Sequence, residues 1–155
     1  MHTHWKRSRV ALFLILIGSS LALRSARAAD ADLTKELRAV FQANLDATQK
    51  KDLHGVLATV HSKSPTFAAT VQVMQKFFEK FDVKTDLLSF KYIATDGDYA
   101  IARTKFKTVR VAGPPFRDNL IDAFCIFKKD GNDWKIWQQS NLEITYPEPA
   151  AKPAK

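Results

Sequence analysis

Apolar residues recur at spacings of three and four along the first half of the chain and at spacings of two along the second, so helices come first and strands follow. Leu33, Leu37, Val40, Phe41 and Leu45 form the first helical stripe, with Asp30 or Asp32 placed to cap its start. The stripe stops at Thr48-Gln49-Lys50-Lys51. Asp52 then caps a short second helix carrying Leu53, Val56, Leu57 and Val60. That helix has to end before Ser64-Pro65, because a residue preceding proline is driven out of the helical region. A third helix from about Thr66 aligns Phe67, Val71, Met74, Phe78 and Phe81 on one side.

From Val83 the pattern shifts to period two and to β-branched and aromatic residues, cut by three turn signals. Asp96-Gly97-Asp98 predicts a hairpin between strands at 84–95 and 99–111, and Asp130-Gly131-Asn132-Asp133 a second between 119–129 and 134–146. Ala112-Gly113-Pro114-Pro115 makes a longer connection between the two hairpins. Helices segregated ahead of a run of antiparallel strands predict an α+β domain with the helices on one face of the sheet. Strands this long exceed the usual five or six residues, and a curled sheet with a concave face is expected. In the third strand Leu120, Phe124 and Ile126 point one way and Ile121, Ala123, Cys125 and Phe127 the other, so both faces are apolar. The face away from the helices needs its own cover, and a homodimer through this outer face is the expected one.

The beginning of the chain has a different purpose. Lys6, Arg7 and Arg9 precede an apolar run from Val10, and small residues lead to Ala26-Arg27-Ala28, the plan of a signal peptide over residues 1–28 cut before Ala29. The run reaches only Leu23 and is broken by Gly18, Ser19 and Ser20, short of the ~20 apolar residues of a membrane span. The expected product is exported, periplasmic or extracellular, and free of the membrane after cleavage. This segment also accounts for most of the formal charge of +8. Removing its five basic residues (Lys6, Arg7, Arg9, Arg24, Arg27) from 24 leaves 19 against 16 acids, a net charge near +3. No nucleic-acid partner is expected of such a chain, since that affinity rests on many phosphate contacts. One cysteine excludes an internal disulfide framework and a multi-thiolate zinc site. Residues 29–146 form the expected domain, and 147–155, built of Pro, Ala, Lys and Glu, a disordered tail.

Three stretches carry a resemblance. Residues Ala47-Thr48-Gln49-Lys50-Lys51-Asp52-Leu53-His54-Gly55-Val56-Leu57-Ala58-Thr59-Val60-His61 look like a break between two helices. Asp96-Gly97-Asp98-Tyr99-Ala100-Ile101-Ala102-Arg103 looks like a first hairpin, and Lys129-Asp130-Gly131-Asn132-Asp133-Trp134-Lys135-Ile136 like a last one. In this order they resemble the nuclear transport factor 2-like (NTF2-like) superfamily, in particular its SnoaL-like bacterial branch, over nearly all of the exported chain. The resemblance implies a cystatin-like cone, with N-terminal helices packed on a curled antiparallel sheet and a pocket between them.

On that fold Trp134, Gln138 and Ser140 of the last strand and Asp122 and Phe124 of the third are expected to line the pocket and bind a small hydrophobic or amphipathic molecule. Isomerases of the superfamily use a carboxylate base after the second helix, with a tyrosine and a protonated aspartate as oxyanion donors. Here Ser62-Lys63-Ser64-Pro65-Thr66 has no acid and the first helix no tyrosine. The leading expectation is therefore non-catalytic binding. Against it stand a lyase- or isomerase-type enzyme using Asp122 with His61, and a homodimeric interaction module of the cell envelope.

No cofactor and no metal are expected: His54 and His61, seven residues apart, are about 10 Å apart on a helix, too far to share an ion. Cys125, between apolar neighbours, reads as a buried inert thiol. Arg103, Lys105 and Lys107, with Lys91, read as a solvated strand face.

Overall fold

The computed structural model describes residues 8–147, with side chains described over 29–147. Among the described residues three helices precede four strands: α1 (Ser8–Gln49), α2 (Leu53–Ala58), α3 (Phe67–Lys80), β1 (Asp82–Asp96), β2 (Tyr99–Ala112), β3 (Asn119–Asp130) and β4 (Asp133–Thr145). The chain divides into two compact units, one ending at Lys35 and one beginning at Glu36 that holds the sheet. Among the described residues no helix is long and apolar enough to cross a membrane. Of the expected tail, residues 148–155 lie outside the described residues, as do residues 1–7 of the expected signal peptide.

No N-cap forms at Asp30 or Asp32. Both lie inside α1, and the Thr34 hydroxyl donates back to the Asp30 carbonyl at 2.6 Å, a bond along the helix rather than across a cap. The alanine- and leucine-rich stretch before them has high helix propensity, so the helix runs through. Its other end is closed where the polar run predicts. Lys51 takes a left-handed φ of 55°, and the Asp52 N–H donates to the Ala47 carbonyl at 2.9 Å. Asp52 then caps α2 as expected, its carboxylate accepting from the Gly55 N–H at 2.9 Å. α2 is shorter than its apolar pattern suggests: Val60 leaves the helix and forms a parallel bridge with Ile136.

The sheet is a meander in the order β1-β2-β3-β4, every pair antiparallel. Gly97 and Gly131, at φ 54° and 63°, supply the positive φ that the two tight hairpins need. Leu37, Phe41 and Leu45 of α1 are buried on one face of the sheet, where the Phe41 ring meets Phe106 edge-on at 5.6 Å and Phe90 at 6.4 Å. Beneath the helix the strands carry small residues: Ala100, Ala102, Thr104, Ala123 and Cys125 are fully buried.

The expected strong curl is absent. β2 and β3 pair over ten residues without a register shift, whereas the irregularities fall in the pairings of the outer strands, three between β1 and β2 and two between β3 and β4. Curvature is introduced by bulges, and here the middle of the sheet has none to bend it. Strand length alone does not produce a cone.

Candidate functional site

The register sorts every strand residue onto one of two faces, since directly paired residues share a side. Toward the helices lie, row by row, Thr85, Thr108 and Asn119; Leu87, Phe106, Ile121 and Ile144; Phe90, Thr104, Ala123 and Asn141; Tyr92, Ala102, Cys125 and Gln139; and Thr95, Ala100, Phe127 and Ile136. None of these positions holds Asp, Glu, Lys, Arg or His; on this side charges enter only in the rows beyond them, Arg110 beside Val83 and Lys129 beside Trp134. The rows combine apolar side chains with neutral hydroxyls and amides. At the first row the Thr85 hydroxyl donates to the Leu45 carbonyl of α1 at 3.2 Å, and the Thr85 N–H donates to the Gln49 side chain at 2.8 Å. This helix-facing surface is the candidate site.

α3 buries no residue completely. Its stripe of Phe67, Val71, Met74, Phe77 and Phe78 is only half-buried, and Phe77 stacks on Phe81 at 5.2 Å, which in turn meets Phe116 of the β2–β3 connection at 5.6 Å. Gly113 lets that connection lie against the end of α3: at φ 104°, its backbone comes so close that an added Cβ would stand 2.1 Å from the Lys80 carbonyl oxygen.

Of the residues expected in the pocket, Trp134 alone faces the helices; it is buried beside Ile136, with the Lys129 ammonium 4.9 Å from its ring centre. Asp122 and Phe124 sit on the opposite, outer face, paired with Lys105 and Arg103, while Ile121, Ala123, Cys125 and Phe127 take the helix-facing side. Gln138 and Ser140 join them there: a bulge between Ile126 and Phe127 admits Trp137 as an extra residue in β4 and reverses the alternation that Trp134 and Ile136 begin. The register thus brings Asp122, Phe124, Gln138 and Ser140 together, on the outer side of the sheet.

Asp122 is buried yet not free. Arg103 holds it with both Nε and Nη2, at 2.7 and 2.8 Å, and Lys105 Nζ stands 3.5 Å away. The hydrogen bonds from Arg103 keep its carboxyl below the usual aspartate range, burial opposes that, and the positive charges of Arg103 and Lys105 reinforce it. The Arg103 guanidinium is correspondingly held more firmly protonated. An ionised, doubly bonded carboxylate has no proton to give and little basicity to offer.

His61 is buried. Its backbone N–H donates to Ile136, its Nδ1 accepts from the Lys63 N–H at 3.0 Å, and its ring meets Trp137 edge-on at 5.1 Å. Asp122 pairs with Glu143, seven residues along β4 from Ile136, so roughly 20 Å separates the two residues at a strand's rise. They are not brought together. Two groupings were not anticipated from the sequence: the Arg103–Asp122–Lys105 cluster, and the Lys128 ammonium held over both Tyr99 and Trp137, at 4.7 and 4.3 Å. The alternation of Arg103, Lys105 and Lys107 opposite an aspartate carries the first signal.

Cys125 lies fully buried in β3, and burial pushes its thiol well above the ordinary range. Among the described residues no group of three or more His, Cys, Asp or Glu side chains is placed to hold a metal ion.

The family described as "Anti-sigma-I factor RsgI9, C-terminal domain" matches residues 39–147. No curated protein matches the chain in sequence. Similar solved structures include a conserved protein from Planctomyces limnophilus, with a TM-score of 0.62 and 19% identity over 76% of this chain and 98% of that one. A protein from Novosphingobium aromaticivorans, proposed to be an aromatic ring hydroxylase, matches with a TM-score of 0.61 and 14% identity over 74% of this chain and 92% of its own. An NTF2-like protein from Cytophaga hutchinsonii gives 0.58 and 12% over 72% and 95%. At these identities the likeness concerns the fold, which is NTF2-like.

Proposed function

The chain belongs to the family of the anti-sigma-I factor RsgI9 C-terminal domain, and we propose that it is an exported, non-catalytic binding domain that takes up a small, largely apolar molecule on the helix-facing side of its sheet. The observation that carries this reading is the absence of Asp, Glu, Lys, Arg and His from the described rows between Thr85 and Ile136, while Asp122 is ion-paired on the other side. A surface of aromatic, aliphatic and neutral polar groups suits recognition of an uncharged body, whereas proton transfer needs a titratable group in reach. The family's name refers to one domain of an anti-sigma factor, which supports recognition over turnover.

Export rests on the leader-like residues 1–28. In this reading the exported domain works as a homodimer through the outer sheet face, where Tyr99 and Ile101 of β2 are exposed next to the half-buried Leu120, Phe124 and Ile126 of β3.

Native mass spectrometry of the protein recovered from the exported fraction of its own cells tests the proposal. A co-purifying small molecule on a chain beginning at Ala29 is the expected result. An empty chain that no neutral apolar compound stabilises against heat would overturn the binding reading, and a chain retained in the cytoplasm would overturn export.

A further inference from the structure

Asn119 begins β3 in the first helix-facing row, paired with Thr108, which in turn pairs with Thr85. All three are buried, Asn119 to 8% exposure. Its amide nitrogen donates to the Arg117 carbonyl at 3.4 Å, which fixes the orientation of the carboxamide and turns Oδ1 the other way. Oδ1 is fully buried and accepts no hydrogen bond, the one such side-chain atom among the described residues. Buried acceptors are almost always satisfied, because leaving one without a donor forfeits the hydration it had in the unfolded chain. Thr85 is already committed to Leu45 and Gln49. The adjoining row, Leu87, Phe106 and Ile121, offers only hydrocarbon.

We propose that Asn119 Oδ1 is the polar anchor of the binding face, accepting a hydrogen bond from the hydroxyl or N–H of a neutral molecule whose apolar body lies along the half-buried Leu87 and Ile121. This deepens the binding reading above and rests on it. The charge state of the ligand follows from the surroundings. Of the charged groups at this end of the sheet, Lys51 pairs with Asp82, Asp118 accepts from the Arg110 backbone N–H at 3.0 Å, the Arg110 guanidinium donates to the Gly113 carbonyl at 2.9 Å, and the Arg117 guanidinium lies over the Tyr146 ring at 4.7 Å. The Arg110 guanidinium, next along on this face by register, is turned to the Gly113 carbonyl, so an ammonium entering the row would be desolvated with no counter-charge, and a carboxylate only by drawing Arg110 away from that bond. A donor on an uncharged body satisfies Oδ1 without that cost. An isosteric ligand lacking the donor leaves the oxygen unpaired, and sites built to hydrogen-bond a ligand reject such analogues strongly.

The test uses matched triplets, an alcohol, its methyl ether and the corresponding carboxylate, on naphthyl, decalin and cyclohexyl skeletons. Each is titrated calorimetrically into the wild-type chain and into Asn119→Leu. For the skeleton that fits, the wild type binds the alcohol about tenfold or more tightly over the ether and carboxylate, and Asn119→Leu removes that preference while still binding the ether. The preference is measured on the unmodified chain, so it decides the matter even where the variant does not fold. Equal binding of alcohol and ether, preference for the carboxylate, or a preference unchanged in Asn119→Leu overturns the role of Asn119 and leaves the binding domain standing. Failure of every skeleton to bind the wild type overturns the binding reading, and this inference with it.

Discussion

Arg103 reaches diagonally across the β2–β3 pair and grips Asp122 with two nearly parallel hydrogen bonds, on the side of the sheet that the helices leave uncovered. The pair turns the one acid of β3's interior into a fixed counter-ion for a basic strand, with Lys105 as a second partner. A bidentate guanidinium–carboxylate contact is stronger and more directional than a simple ion pair, although the half-exposed arginine is screened by water and salt.

Asp122→Asn is therefore expected to lower the urea midpoint at pH 7. Because the folded carboxyl has a depressed pKa, its contribution is complete above the unfolded value near 3.9 and is lost as the pH falls through the lower folded value. Denaturation curves of wild type and variant should thus differ at pH 7 and 5 and draw together as the pH falls below the unfolded value. A gap of constant size at acid pH would show that the carboxylate's charge is not what stabilises the pair.

Two glycines with positive φ make opposite demands. Gly131 faces open space, so Gly131→Ala costs only the left-handed strain, about 1–2 kcal/mol. At Gly113 the same methyl group would collide with the Lys80 carbonyl, and the backbone of two segments would have to separate. Thermal denaturation should rank Gly113→Ala clearly below Gly131→Ala; equal melting temperatures would mean that the β2–β3 connection is not held against α3.

Cys125 should resist alkylation. With the thiol fully buried and its ionisation suppressed, iodoacetamide is expected to label it only as fast as the domain opens. Mass-spectrometric labelling in buffer and in increasing urea checks this, and rapid modification in buffer would contradict the burial.

Ile101→Lys places a charge in the exposed apolar strip of the outer face without touching the helix-facing rows. If a second copy covers that strip, sedimentation velocity should show a dimer for wild type and a monomer for the variant. A wild-type chain that remains monomeric at micromolar concentration removes the dimer.

Hairpin ends were the most legible part of the molecule. Gly97 and Gly131 pin both turns, so the four strands lie within two residues of where period-two alternation puts them. The face of β3 was not legible, because Leu120, Phe124 and Ile126 are as apolar as Ile121, Cys125 and Phe127, and the long connection before Asn119 does not set the register. The reversal in β4 depends on a bulge at Trp137, which leaves no mark on hydrophobicity. Size was the usable signal: Ala100, Ala102, Ala123 and Cys125 lie where α1 comes close, and bulkier residues alternate with them on the other side. Asn119 escaped notice since a lone asparagine at a strand start is ordinary until its oxygen is seen without a partner.

The bridge from Val60 to Ile136 has a kinetic consequence. Around it, the Ser64 hydroxyl donates to the Trp137 carbonyl and the Lys135 ammonium to the Ala58 carbonyl, joining residues 73 and 77 apart in sequence. Such contacts close large loops and cannot form until the last strand is present, so a ribosome must release β4 before the segment after α2 finds its place. Helices that could form early are left waiting, and removal of the final hairpin should leave the segment from Thr59 to Ser64 unprotected against hydrogen exchange.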